Sequence, residues 1–311
     1  MRDPRKAFEQ KLVEMGAADS RICAVSCDSA GGGGLGAFFA DFPDRSIELG
    51  ISEQSAVSIC AAMSRQRLIP VLVIINPFLT MRAFEQIRDD LGYMRTNVKV
   101  VGSGGGLAYS TLGASHIAVE DIGLMRTVPN LTIFAPGDAA EVEFALEQAM
   151  AIDGPVYIRM PRQAREEPLP SGERLLVPGE AELLRKGEDT AIFTYGPSAC
   201  EASKASDMLK KEKIASAVIN LITVKPLDEA TVLSQLMNKR HVFTLEEHNP
   251  VGGIGSIIAE IIARNGIPVR LHVLAVPEGA KNTGPYHELV DAYGLSAKKV
   301  AARVKTALRK N

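Results

Sequence analysis

Along the first half of the chain, short apolar runs alternate with stretches in which apolar residues recur every three or four positions. The runs at 22–26, 71–75, 98–101, 131–134 and 156–159 are rich in Val and Ile and predict strands. The stretches at 5–15, 52–65, 82–93, 117–126 and 139–150 carry the helical period and predict helices between them. Apolar strands that alternate with helices belong to a parallel sheet covered on both faces, and such sheets take ligands at the carboxyl ends of their strands. From residue 163 to about 188 the periodicity stops, and charges, glycines and the prolines Pro168, Pro170 and Pro178 take over. Four further runs, at 190–194, 216–220, 241–245 and 269–273, then predict a second and smaller unit of the same kind. The expected fold class is α/β, with two parallel-sheet domains at 1–165 and 189–311 joined by a linker over 166–188.

Two glycine-rich stretches interrupt this pattern. Gly31 to Gly34 follow Asp28-Ser-Ala30 at a strand end, where a loop without side chains is either mobile or open to close approach by a ligand or neighbouring backbone. Val251-Gly-Gly-Ile-Gly-Ser256 starts a helix, but it lacks the full dinucleotide fingerprint and stands outside the first strand-helix unit. Close packing is the expected role of those glycines.

Composition narrows the function classes. With 311 residues, 46% hydrophobic and 23% charged, the chain has the make-up of a soluble globular protein of about two domains. The formal net charge is -2 and the Lys and Arg residues are scattered, so neither a nucleic-acid nor an anionic-membrane surface is indicated. Cys23, Cys27, Cys60 and Cys200 lack metal-ligand spacing and are expected to be free buried thiols. The apolar run at 69–75 is too short to cross a bilayer, and Met1-Arg-Asp-Pro-Arg-Lys6 leads into a helical pattern and not an apolar signal segment, so a cytoplasmic location is expected.

Candidate chemistry begins at Ile47-Glu-Leu-Gly-Ile-Ser-Glu-Gln54. Ser52 is a good N-cap for the helix that follows, so Glu53 stands at a helix start whose free amides face it. His116, in Leu112-Gly-Ala-Ser-His116, is expected at the start of the next helix, and a histidine there can move protons near neutral pH. Phe78 opens the segment Phe78-Leu-Thr-Met-Arg-Ala-Phe-Glu-Gln-Ile-Arg88.

The Gly-Ile-Ser-Glu-Gln turn, the Arg-Ala-Phe-Glu-Gln-Ile-Arg helix, the Gly-Ala-Ser-His loop, Glu246-Glu-His-Asn-Pro-Val-Gly-Gly-Ile-Gly255 and Tyr293-Gly-Leu-Ser296 together resemble the transketolase family over essentially the whole chain. The resemblance implies a thiamine-diphosphate enzyme that moves a two-carbon ketol unit from a ketose to an aldose, built from a pyrimidine-binding domain and a transketolase C-terminal domain. It implies that Glu53 contacts the cofactor's aminopyrimidine, with Phe78 and Ile75 at the positions of an aromatic pair that lines its pocket and Asp28 at the cofactor edge of the subunit interface. It further implies that His116 contacts the substrate's oxygens and that Arg5 and Arg162 hold a substrate phosphate, while Leu112 stands where a hydroxyl-reading aspartate is usual. Gly32 and Gly104 stand where a serine and a histidine are usual.

The family's Gly-Asp-Gly, followed by Asn about 25–30 residues later, holds the diphosphate and its Mg²⁺ and is absent from the sequence. The resemblance therefore implies a split enzyme, in which this chain dimerises and joins an N-terminal partner subunit carrying the diphosphate and Mg²⁺ site in an α2β2 complex. Two other readings are the β-subunit of a 2-oxoacid dehydrogenase and a non-catalytic partner of a transketolase half.

Overall fold

The computed structural model describes residues 2–162, 174, 176–280 and 282–309. Strands that are apolar on both sides need cover on both sides, and two sheets flanked by helices provide it. In chain order the strands are β1 (Ile22–Ser26), β2 (Ser46–Glu48), β3 (Ile69–Ile75), β4 (Lys99–Ser103), β5 (Thr132–Phe134) and β6 (Val156–Met160), then β7 (Glu182–Arg185), β8 (Thr190–Thr194), β9 (Ser216–Asn220), β10 (Thr223–Lys225), β11 (His241–Leu245) and β12 (Arg270–Leu274). The first sheet has the order β10-β5-β6-β4-β3-β1-β2 and the second β12-β11-β8-β9-β7. All neighbours are parallel except the edge strands β10 and β7. The register sets Ser26 beside Glu48, Ile75 beside Ser103 and Ser103 beside Met160, so the carboxyl ends of five strands form one rim.

The sequence-expected strands recur with small changes of boundary, and three short strands are added. β2 and β10 are three residues long, too short to carry a visible alternation. β7 lies inside the expected linker, so the second sheet begins earlier than residue 189; residues 166–173 and 175 of that linker lie outside the described residues. β10 belongs to the second half of the chain but pairs with β5 of the first sheet, through Thr223 to Phe134 and Lys225 to Ile133. One apolar cluster runs from Ile74 and Leu79 through Ile133 to Phe193 and Ile219, so the two sheets share a core.

Three local expectations are corrected. The glycines at 31–34 are no loop, because Ala30–Gly33 close one helical turn, but close approach is found there: a Cβ on Gly33 would come within 2.7 Å of Val73 Cγ1, and one on Gly34 within 2.9 Å of the Arg5 carbonyl oxygen. The helix expected over 117–126 is confined to Asp121–Met125, since Ile117 and Val119 spend their apolar surface on the second domain's core instead of on a helix face. The helix expected over 82–93 begins at Phe78 and is wide, with π-type turns at Phe78–Arg82 and Ile87–Tyr93 around a short α turn at Phe84–Gln86. Thr80 Oγ1 donates to the Asn76 carbonyl at 2.9 Å, a side-chain bond back to the position four residues earlier that competes with regular helical pairing.

The four cysteines are free and buried, as expected. The glycines at the start of helix Ile254–Asn265 serve packing: Glu246 accepts from the amides of Ile254 and Gly255, both at 2.8 Å, and fills the place a phosphate would need. Among the described residues no helix is long and apolar enough to cross a membrane.

A buried polar hub joins the two domains. Arg159 in β6 and Asp121 are 3% and 0% exposed. Asp121 Oδ2 accepts from Arg159 Nε at 2.7 Å, Asn76 Nδ2 at 2.7 Å and Tyr157 Oη at 2.9 Å. Burial pushes the Asp121 carboxyl up, but Arg159, His248 and the hydrogen bonds outweigh it and hold it below its usual 3.8. The unfolded chain therefore binds this proton first as pH falls, and the stability contributed is present above 3.8 and lost as pH drops through the lower folded value. Asp121→Asn leaves the Arg159 charge buried without its counter-ion and is expected to cost about 3–5 kcal/mol near neutral pH. Urea unfolding of wild type and variant at several pH values checks this, and the gap between them should narrow below pH 3.8.

Candidate active site

The rim of carboxyl ends collects the candidate residues. After β2 the chain turns at Gly50, with φ +65°, and enters helix Glu53–Arg65. Ser52 occupies the N-cap position without using its side chain as a cap, because its hydroxyl donates to the Leu49 carbonyl at 2.9 Å. Glu53 is the first helical residue and is 4% exposed. Its Oε1 accepts from Arg82 Nη1 at 2.6 Å, so a guanidinium and the free amides of a helix start both place positive potential beside the carboxylate.

Arg82 also covers Phe78. The wide turn from Phe78 to Arg82 brings residues four apart onto one face, and the guanidinium carbon stands 4.4 Å from the ring centroid. The edge of Phe78 meets His116, with centroids 5.2 Å apart and planes at 71°. His116 lies in a turn between β4 and helix Asp121–Met125, not at a helix start, and its Nδ1 is 2.9 Å from Ser115 Oγ. The Tyr109 ring lies 5.8 Å from His116, centroid to centroid, and the Arg162 guanidinium lies 4.3 Å from the Tyr109 centroid. Glu53, Arg82, Phe78, His116, Tyr109 and Arg162 thus form one continuous row.

Among the described residues no ion pair or ring contact ties the other candidates to this row. Arg5 pairs with Asp3, Nη2 to Oδ2 at 3.1 Å, in the first turn of helix Pro4–Ala18. Asp28 is exposed beyond β1 with φ +51°, and its amide donates to Glu48 Oε1 at 2.6 Å. Ile75 is half-buried at the end of β3, beside Ser103, whose buried Oγ has no hydrogen-bond partner among the described residues. Leu112 is 53% exposed on the His116 loop.

Arg82 and Tyr109 are the row members that sequence reading passed over. Arg82 was visible only as part of a motif; its contacts come from a helix wider than the α period assumes. Tyr109 explains Gly104, which has φ +78° and whose Cβ would lie 2.2 Å from a Tyr109 ring carbon. The tyrosine ring fills that side of the position. Gly32, by contrast, would place a Cβ in open space, with nothing within 4 Å.

The two glycines should therefore respond differently to a side chain. Gly32→Ser is expected to change stability by less than about 0.5 kcal/mol, as for an uncrowded surface position. Gly104→Ala combines a left-handed backbone with a clash against Tyr109 and is expected to cost about 2 kcal/mol or more. Chemical unfolding of the two single variants measures the difference.

Comparison with known proteins places this row in a family. Residues 1–167 match the family model of the transketolase pyrimidine binding domain, and residues 179–300 match that of the transketolase C-terminal domain. The chain is 33% identical to one of the subunits of apulose-4-phosphate transketolase from Phocaeicola vulgatus, with 98% of this chain and 96% of that one covered. It is 32% identical to a 6-deoxy-6-sulfo-D-fructose transketolase subunit of Clostridium sp., over 95% of this chain and 91% of that one. Among solved structures, a split gene transketolase described as an inactive beta4 tetramer superposes with a TM-score of 0.88 at 33% identity, covering 98% of both chains. With both domain models matched in order along one chain, the protein belongs to the transketolase family.

Proposed function

We propose that this chain is the C-terminal subunit of a split, thiamine-diphosphate-dependent transketolase, active with a partner subunit that holds the cofactor's diphosphate and Mg²⁺. The observation that carries this reading is the row on the carboxyl rim, where an acidic residue at a helix start, an aromatic wall and a histidine lie in sequence. Among the described residues no group of three or more His, Cys, Asp or Glu is placed to hold a metal ion. Relatives named as transketolase subunits, and a solved split gene transketolase that is inactive as a beta4 tetramer, support a chain that self-associates and needs a partner.

The residues present fit the pyrimidine half of the cofactor. Glu53 offers a carboxyl to a ring nitrogen, Phe78 offers an aromatic surface, and the orphaned Ser103 Oγ on the same rim offers a hydroxyl. When bound, thiamine diphosphate supplies the electron sink for breaking and making the carbon–carbon bond of a two-carbon transfer. Glu53 would orient the ring and share a proton between its carboxyl and the ring nitrogen. His116 contacts substrate oxygens and moves their protons, with its Nδ1 fixed by Ser115. Arg162, held on the Tyr109 face, presents a cation to an anionic group at the far end of the substrate.

Arg82 adds a condition. It occupies Glu53 Oε1 and lies against Phe78, so a heteroaromatic ring that uses that oxygen and that face of Phe78 displaces the guanidinium. Its side chain is 43% exposed, which leaves it room to turn toward solvent.

Reconstitution tests the reading. The chain alone should be folded and self-associated with no transferase turnover, and the complex with the subunit carrying Gly-Asp-Gly should transfer a two-carbon unit. Tight, Mg²⁺-dependent binding of thiamine diphosphate by the isolated chain in calorimetry would overturn the division of the site. In the complex, Glu53→Gln should keep assembly but slow exchange of the cofactor's C2 proton by about 100-fold or more, followed by NMR.

Substrate preference should follow Arg162. The complex is expected to favour anionic sugars and accept a sulfonate as well as a phosphate, since a guanidinium fork fits either oxyanion. Its kcat/KM for an anionic ketose should fall about 10–100-fold in Arg162→Ala, while that for a neutral ketose stays nearly constant. Equal losses on both substrates would remove Arg162 from substrate selection.

A further inference from the structure

The loop that carries His116 belongs to the first domain but is fastened from the second. It leaves β4 through Gly104 to Gly106 and returns at Ala118, and its base closes where Gly106 and Ala118 exchange backbone hydrogen bonds of 2.9 and 3.0 Å. Directly beneath that bridge lies Glu247, 2% exposed, from the segment after β11. Its Oε2 accepts from the Leu107 amide at 3.0 Å, and its Oε1 takes the hydroxyl of Tyr286. Arg159 Nη2 completes the base by donating to the carbonyls of Ala118, at 3.2 Å, and Glu247, at 2.9 Å.

The backbone is shaped for this contact. Gly106 has φ +67°, and a Cβ there would sit 2.6 Å from Glu247 Oε2, so only glycine lets the loop come this near the carboxylate. Further out, the Gly284 amide donates to the Ser110 carbonyl at 3.2 Å, and Gly113 lies against Thr283, whose Cγ2 a Cβ would meet at 3.0 Å. The His116 amide then bonds back to the Gly113 carbonyl at 3.0 Å, which fixes the turn that aims its ring at Phe78. A carboxylate accepting from a buried amide makes a stronger hydrogen bond than a neutral acceptor, and removing it leaves a buried N–H unpaired.

We propose that Glu247 is a positioning residue for His116: the second domain sets the place of the histidine through the Glu247 to Leu107 bond and the Tyr286 hydroxyl behind it. This rests on the role of His116 given above, but the fastening itself is a property of the isolated chain. It gives the C-terminal domain a part in the reaction although none of its residues belongs to the row.

Two measurements test this. In the isolated full-length chain, Glu247→Ala should speed amide exchange across residues 105–118 by about tenfold or more, measured by mass spectrometry, with β4 and β6 unaffected. Tyr286→Phe, which removes one hydroxyl and keeps the ring, should give a smaller change in the same segment. In the complex with the partner subunit, Glu247→Ala should lower kcat about 10–100-fold, yet less than about threefold when His116 is already alanine, because the two residues act as one unit. Glu247→Gln should recover part of the loss.

Equal losses with and without His116 would make Glu247 a general interdomain support and overturn the proposal. So would unchanged exchange in 105–118. If the wild-type complex shows no transferase activity, the function proposed above fails, and the ring NMR signal of His116, one of five histidines, still decides the fastening. A shift in both Glu247→Ala and Tyr286→Phe upholds it, and an unmoved signal overturns it.

Discussion

A guanidinium taken out of water must be matched by a counter-ion and by acceptors for its remaining N–H groups, and Arg159 sits where that demand organises both domains. Its Nε is bound to Asp121, and its Nη2 to the carbonyls of Ala118 and Glu247. Asp121 in turn collects Asn76, the residue two before Phe78, and Tyr157. The end of β3, the return of the His116 loop and the strand exit at β11 are thus tied to one charge. The small residues around it follow: a Cβ at Gly105 would lie 2.6 Å from Arg159 Cγ, and one at Gly102 would lie 2.7 Å from Asn76 Oδ1.

This hub gives the rim of the first sheet two kinds of surroundings. Behind the rim the polar groups are buried and paired, so Phe78 and the base of the His116 loop are held from within. In front, Glu53, Arg82 and Arg162 are held by no more than one or two ion-pair or ring contacts each. A buried, paired support behind an exposed front keeps the groups of the row in place before any ligand arrives, so that ordering them does not subtract from its binding.

The departures from the family pattern take on physical meaning in this setting. Gly104 is a left-handed position covered by an aromatic ring, so its lack of a side chain belongs to the loop's own packing. Gly32 is sterically open, so nothing in the fold requires glycine there. Leu112 is 53% exposed on the His116 loop, so no packing inside the chain requires its side chain. The same loop is braced by Thr283 and Gly284 of the second domain, which carries no member of the row.

The sequence by itself determined the long parallel strands, through unbroken apolar runs, and singled out Glu53, Phe78, His116 and Arg162 as candidates, through resemblance of motifs; the folded chain sets these four along one row of contacts. The sequence did not determine β2, β7 and β10, which are edge strands of three or four residues whose pairing supplies what their pattern lacks. The helix period failed at 78–93 and at 117–120, where a wide helix and an interdomain packing face overrode it. Only the tertiary structure decided that Arg82 holds Glu53 across 29 positions and that Glu247 holds Leu107 across 140. Local patterning reports which face of an element is buried, whereas the partner of a buried charge is chosen by whichever distant donor the folded chain brings within about 3 Å, and no window of sequence contains both.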